Sequence, residues 1–467
     1  MASVRMSKIK KIIKAAGEDA KKHRSDAQPA FTGHVKWPVE CTVGPGLEGA
    51  IACETKVGYV DGTNGSMLYQ GYDIYDLCAN SNYEEVCYLL LHGRLPSDSQ
   101  LQAFNKKLIE YRFLPNTLRR LMSFPVEEMN PMAALRVGTN FMRQRLTWRD
   151  KDWARVDGQG AIATDEDSIP METMPFGEDH AVYEFKAQKI KPPSEALRKH
   201  DDAESIQSCM HLISGVATIA AAIKLMREGQ HMPLNPDPKL SHAGNLLYMM
   251  NGRKPTPEEE KIMDVILILH ADHGMNASTF ASMVVSSTMS DYYLSIGAGI
   301  SALNGPLHGG ANEEVVRMLQ KIGSPKNVDA WLDKELKKGT KIPGFGHRVY
   351  KTYDPRARIL GPLAKMLAES HPESKELFAT AAKLERAFVS AKGREKKIFP
   401  NVDFYSGLVY SALDIPMEMY TTMFAVSRVA GWAARVHEYH KNNRIFRPRA
   451  IYSGGTDKEY VPVNKRG

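Results

Sequence analysis

At 467 residues the chain is longer than one compact core requires, so two or more folding units are expected. Hydrophobic residues make up 43% and charged residues 25%, which excludes long disordered stretches as the main architecture. The net charge of +7 is mild; it would suit anionic substrates, but much of the excess lies in the first two dozen residues and says little about the folded body, and no nucleic-acid partner is expected.

The N-terminal stretch carries Lys8, Lys10, Lys11, Lys14, Lys21, Lys22 and Arg24 around Ile9, Ile12 and Ile13. Glu18 and Asp19 interrupt it, and it lacks the apolar core of a secretory signal, so residues 1–45 read as a solvated basic arm. Five cysteines (Cys41, Cys53, Cys78, Cys87, Cys209) form no CxxC pair. An odd count fits free thiols in a reducing, cytoplasmic setting.

Residues 56–60 and 66–69 are short β-prone runs around Asp61-Gly62-Thr63-Asn64-Gly65, which predicts a hairpin. Beyond it the pattern is helical almost to the end. Apolar residues recur at helical spacing over 83–92 and 101–108, with a polar, proline-led break at 96–100. Residues 148–202 are Asp/Glu/Gly-rich, punctuated by Pro170, Pro175, Pro192 and Pro193, and read as an insertion between helices. Helical periodicity resumes over 205–226. Its apolar core, 212–223, is followed by Lys224 and reads as too short to cross a bilayer, so no membrane role is expected.

Pro257-Glu258-Glu259-Glu260 reads as a helix start. That helix leads into His270-Ala271-Asp272-His273, whose two histidines at i, i+3 are expected on one helical face. The spacing could hold a metal, but no His-Glu-x-x-His motif or nearby cysteine accompanies it, and no metal site is assigned. Residues 281–302 read as one small-residue-rich helix delivering the loop Asn304-Gly305-Pro306-Leu307-His308-Gly309-Gly310. A histidine among glycines and a proline is expected at a helix junction, facing a ligand. Further helices are expected over 315–319, 362–391 and 419–440.

Pro343-Gly344-Phe345-Gly346-His347-Arg348-Val349-Tyr350-Lys351, followed by Asp354-Pro355-Arg356-Ala357-Arg358, combines glycines that let backbone approach a ligand with an imidazole and several cations. Asp403, in Pro400-Asn401-Val402-Asp403-Phe404, stands among apolar neighbours that raise a carboxyl pKa toward the range of a general base. Arg428 interrupts an apolar run, where burial is costly unless an anion meets it.

Two loop histidines, a loop aspartate and separated arginines are what a carboxylate-binding enzyme performing enolisation requires. With Gly46-Leu47-Glu48-Gly49-Ala50-Ile51, Tyr69-Gln70-Gly71-Tyr72-Asp73-Ile74 and Arg447-Pro448-Arg449-Ala450, the chain resembles the citrate synthase family. The resemblance implies a mostly α subunit: a large helical domain (46–312 and 412–467, with 148–202 inserted), a smaller helical domain (313–411) and a short N-terminal hairpin. It implies a homodimer with shared sites, substrates oxaloacetate and acetyl-CoA, and no cofactor.

By matching motifs, Asp403 would take the α-proton, His308 would hydrogen-bond the thioester oxygen, and His347 would polarise the oxaloacetate carbonyl. His273, Arg356, Arg428 and Arg447 would hold oxaloacetate, Arg447 reaching into the partner's site. Gly344, Phe345, Gly346, Lys351 and Asn401 would hold CoA. A 2-methylcitrate synthase using propionyl-CoA is the neighbouring alternative, and a non-catalytic regulatory homologue or a His270/His273 metalloenzyme are alternatives of other classes.

Overall fold

The computed structural model describes residues 2–24, 32–33, 36–142, 202–230, 233–454 and 459–466. The 148–202 excursion lies outside them, except for its last residue. The hairpin forms as expected: β1 (Gly58–Asp61) pairs antiparallel with β2 (Ser66–Tyr69) in the register Gly58↔Tyr69 to Asp61↔Ser66. The Asp61 carboxylate closes its turn by accepting from the backbone N–H groups of Thr63 and Asn64 at 2.9 and 3.0 Å. A two-residue β3 (Tyr72–Asp73) adds to β2.

All other described elements of any length are helical. The first six helices are α1 (Ala2–Lys22), α2 (Ile74–Asn80), α3 (Tyr83–His92), α4 (Asp98–Glu110), α5 (Pro115–Leu121) and α6 (Pro131–Phe141). After the excursion come α7 (Asp202–Arg227), α8 (His242–Asn251), α9 (Pro257–His270), α10 (Ala277–Ser287) and α11 (Tyr292–Leu303). The last six are α12 (Ala311–Ile322), α13 (Val328–Lys338), α14 (Pro355–Ser370), α15 (Lys375–Phe388), α16 (Val402–Ala412) and α17 (Tyr420–His440).

Helix α17 is the axis of the larger group, packed on α3, α7, α9, α10 and α11. Its first 18 residues, Tyr420 to His437, are all buried. Helices α12, α14, α15 and α16 pack chiefly on one another, and α13 joins them through α15.

Four features depart from the sequence reading. Helix α7 contains a segment, Ser205–Arg227, long and apolar enough to cross a membrane, but it lies mostly inside the fold. It is a core helix over nearly the 205–226 stretch that the periodicity predicts, and only its apolar segment is longer than the 212–223 run. The expected single helix over 281–302 is two, because Met289 adopts a positive φ of 65° and Asp291 caps α11 by accepting from Leu294 N. The break at 96–100 is shorter than it looked, since Ser97 and Gln100 form a capping box and α4 starts at Asp98.

The fourth departure concerns the arm. Residues 2–22 form a helix whose Ile9, Ile13, Gly17 and Ala20 are buried while the lysines face solvent, an i, i+4, i+8, i+11 stripe. It rests on α2, α9 and α14, with Arg5 bound to Glu258 at 2.6 Å, Arg24 to Asp73 at 2.9 Å and Asp19 to Arg358. The positive charges that suggested solvation occupy only the outer face. Ile13, with no exposed surface, separates the two pictures. Ile13→Ala is expected to lower unfolding free energy by about 2 kcal/mol, and exposed Lys14→Ala to change it by less than about 0.5 kcal/mol. Equal small effects in urea titrations would mean the helix is not docked.

Candidate active site

The site is assembled from helix ends. Helix α9 stops at His270, so His273 sits in the following loop and does not share a helical face with His270, contrary to the sequence expectation. The His270 ring is buried; its Nδ1 lies 2.9 Å from the Ile266 carbonyl and its edge packs on Phe424. The helical spacing that would give this pair a shared metal site is therefore not present.

The loop is held from three directions. The Tyr69 hydroxyl lies 2.9 Å from the carbonyls of both Ile268 and Asp272. Asp272 accepts from Arg435 Nε and Nη2, each at 2.7 Å, and from Gly274 N at 3.1 Å. Gly431 lets α17 approach, because a Cβ there would stand 2.2 Å from the Ala271 carbonyl oxygen. Burial works against charge on Asp272, yet Arg435 holds its carboxyl below the usual range.

Arg428, one heptad before Arg435 on α17, is also buried. Its Nε donates to the His270 carbonyl at 2.5 Å, but Nη2 is buried with no partner among the described residues. Burial brings its pKa down to about 10 even with Asp272 nearby. Arg435 is satisfied and Arg428 is not, so Arg428 retains capacity for an anion.

His308 occupies the α11–α12 junction. Its Nε2 accepts from Ser278 N at 3.2 Å and lies 2.8 Å from the Ser278 hydroxyl, at the start of α10. A nitrogen that accepts a backbone N–H carries no proton, so the ring's proton resides on Nδ1. Burial, and then Arg428, lower its pKa to about 4, so the ring is neutral at pH 7.

His347 is fixed in the opposite tautomer. Its Nδ1 accepts from Val349 N at 3.0 Å and Tyr350 N at 3.3 Å, leaving the proton on Nε2. Burial, followed by Arg356, lowers its pKa to about 4. The β1–β2 turn buttresses this loop, Lys351 N donating to the Gly62 carbonyl at 2.8 Å.

Asp403 stands in the first turn of α16. The cap is Asn401, whose side-chain oxygen accepts from Asp403 N at 2.9 Å, so Asp403 itself is not spent on capping. Among the described residues its carboxylate has no hydrogen-bond partner. Burial raises its pKa to about 6, against the opposing pull of Arg356 and Arg428. A half-buried, unbonded carboxylate with that pKa suits a general base at neutral pH.

Asp354 organises the neighbourhood. It caps α14, chelates Arg356 through Nε at 3.0 Å and Nη2 at 2.7 Å, and accepts from Val402 N at 3.2 Å. One carboxylate thus ties the Arg356 guanidinium to the helix that carries Asp403. Burial works against its ionisation, but Arg356 keeps its carboxyl below the usual range.

The remaining sequence candidates divide. Gly344, at φ +79°, and Gly346, at φ +83°, bend the loop against residues 399–401. Asn401 N donates to the Gly344 carbonyl, and its side chain to the Gly346 carbonyl, both at 2.9 Å. The Asn401 side chain is therefore engaged inside the protein, and the Phe345 ring is core, 4.2 Å from Phe388 and 4.7 Å from Phe404 between centroids. Lys351 is exposed. Arg447 is exposed in the C-terminal tail and has no hydrogen bond or ion pair with this cluster among the described residues. A separate cavity of about 1060 Å³, among α3, α4, α7 and α17, holds none of these candidates.

Asp272, Arg435, Asp354, Ser278 and Tyr350 escaped the sequence reading. Arg435 had one usable signal, its seven-residue spacing from Arg428, which puts both on one face. Asp354 reads only as part of the glycine- and cation-rich loop and Ser278 carries no local signal, so only tertiary packing shows what they bind.

Residues 46–449 match the family model described as citrate synthase, C-terminal domain. The citrate synthase of Acidithiobacillus ferridurans is 39% identical over 423 residues, covering 90% of this chain and 98% of that protein. That of Haloferax volcanii is 38% identical over 425 residues, covering 90% and 98%. Among solved structures, citrate synthase from Pyrobaculum aerophilum superposes with a TM-score of 0.76 at 35% identity, covering 93% of this chain and 100% of that one. A ternary complex of carboxymethyl coenzyme A and oxaloacetate with citrate synthase from Thermoplasma acidophilum gives 0.72 at 31% identity, covering 89% and 97%.

Proposed function

The chain belongs to the citrate synthase family, and from that premise we propose that Asp403, His308 and His347 carry out the condensation of acetyl-CoA with oxaloacetate. The enzyme is an acyltransferase forming citrate and CoA. The observation that supports the residue assignment is a pair of neutral histidines held in opposite tautomers, together with an unbonded carboxylate whose pKa is raised to about 6.

A thioester methyl is a weak carbon acid, so base and hydrogen-bond donor must act together. Asp403 takes a methyl proton while His308 Nδ1–H donates to the thioester oxygen on which charge accumulates. The enolic carbon then attacks the ketone carbon of oxaloacetate, and His347 Nε2–H delivers a proton to the ketone oxygen, giving citryl-CoA; the proton that Asp403 took returns through water to His347 Nε2, restoring both groups. Water cleaves that thioester, releasing citrate and CoA thiol. Arg428, with its free Nη2, Arg356 and His273 would bind the oxaloacetate carboxylates. The reaction needs no cofactor in this scheme, since acetyl-CoA is itself a substrate. CoA would run along the Gly344–Gly346 backbone with Lys351 toward its phosphates; Asn401 shapes that backbone.

The proposal includes a homodimer in which Arg447 completes the partner's site. Supporting it, the tail that carries Arg447 leaves Ile445, Ile451, Tyr452, Tyr460 and Val463 exposed, with Ile451 at 97%. It also includes residues 313–411 as the smaller domain, a cytoplasmic location and a place in the tricarboxylic acid cycle.

Release of CoA thiol with oxaloacetate tests the reading, acetyl-CoA and propionyl-CoA being supplied separately. A higher kcat/KM with acetyl-CoA is expected. Parity or a propionyl preference would move the assignment to 2-methylcitrate synthase, and no release by folded protein would overturn it.

A further inference from the structure

Tyr350, which the reaction scheme does not name, lies against three residues that it does: His347, His273 and Arg356. Its side chain is 3% exposed. Its ring centroid lies 4.8 Å from that of His347 and 5.6 Å from that of His273, and the Arg356 guanidinium carbon lies 5.9 Å from it. Its backbone N–H helps to fix the His347 tautomer at 3.3 Å. Its hydroxyl lies 3.2 Å from His273 Nε2. The His273 and His347 rings lie 5.3 Å apart, so the three rings form a closed triangle.

The hydroxyl has no other partner among the described residues. A phenol in such a place must donate to the imidazole or leave a buried O–H unpaired, and the second costs more. Burial and the nearby cations Arg356 and Arg428 disfavour a proton on both nitrogens of His273. The ring is therefore neutral, with Nε2 as acceptor and its one proton on Nδ1. Nδ1 has no partner among the described residues and is not sealed in the core.

We propose that Tyr350 is a positioning residue for oxaloacetate: by donating to His273 Nε2 it sets the tautomer that presents Nδ1–H to a substrate carboxylate. The idea rests on the functional reading above and extends it to a residue that makes no substrate contact of its own. It acts on substrate binding through His273, so it governs affinity and not the proton transfers at Asp403 and His347.

Tyr350→Phe keeps the ring and removes only the hydroxyl. The expected result is a rise of about tenfold in oxaloacetate KM and Kd, the value of one hydrogen bond to a well-ordered group, with kcat and acetyl-CoA KM within about threefold. The Kd for L-malate, which keeps both carboxylates but lacks the ketone, should rise in parallel. In a His273→Ala background the same change should have no further effect, because its route is gone. Wild-type affinity in Tyr350→Phe, or a tenfold loss that persists in the His273→Ala background, would overturn the proposal. Absence of turnover in the wild type would instead strike at the functional reading, which separates the two failures.

Discussion

Asp403→Asn is expected to lower kcat by roughly 10²- to 10⁴-fold, the range for loss of a positioned general base, while oxaloacetate affinity stays within about threefold. Asparagine matches aspartate in shape but cannot take a proton. Its backbone N–H would keep the 2.9 Å bond to Asn401, so the start of α16 should be undisturbed. Arg356 remains bound to Asp354 at 2.7 Å and Arg428 to the His270 carbonyl, which leaves the carboxylate-binding groups in place. Steady-state kinetics and calorimetric titration of oxaloacetate distinguish this from a general collapse, in which kcat and affinity would fall together. Near-normal turnover would remove Asp403 from the role of base.

Asp272→Ala is expected to have the largest effect on stability, roughly 3–5 kcal/mol of unfolding free energy, because it strands a buried guanidinium. The Arg435 and Asp272 side chains are each 1% exposed. The same substitution removes the acceptor of Gly274 N, loosening the loop that presents His273, so any folded protein should show a raised oxaloacetate KM. The exposed Lys8–Glu369 pair, at 3.4 Å, is the control, and Lys8→Ala should cost less than about 1 kcal/mol. Denaturant midpoints measure both. A loss below about 1 kcal/mol for Asp272→Ala would mean that the buried pair is dispensable.

The parts of the fold legible in the sequence were those with strong local chemistry. The hairpin turn at Asp61–Gly65, the start at Pro257 and the final helix are formed by the residues that signalled them. His308, His347 and Asp403 stood out because glycines, prolines or apolar neighbours surround a titratable group. What the sequence hid was pairing at a distance. Asp272 meets Arg435, Asp354 reaches Val402 N, and Ser278 orients His308, each a contact between segments with no shared local pattern. The first helix was obscured for another reason: counting its lysines conceals the stripe of Ile9, Ile13 and Ala20 that docks it. The 281–302 stretch reads as continuous because its small residues suit a helix throughout, while the break depends on one positive-φ residue, Met289.

The pH dependence of kcat/KM for acetyl-CoA, at saturating oxaloacetate, tests the central claim most directly. Asp403 must be ionised to act, and its pKa is raised to about 6, so the rate should climb with pH through that region. His308 and His347, both lowered to about 4, are already neutral there and add no limb between pH 5 and 8. The account predicts a single rising acid limb near pH 6 that is absent from the residual activity of Asp403→Asn. A rate that falls as pH rises through that range, or a limb that persists in Asp403→Asn, would contradict it.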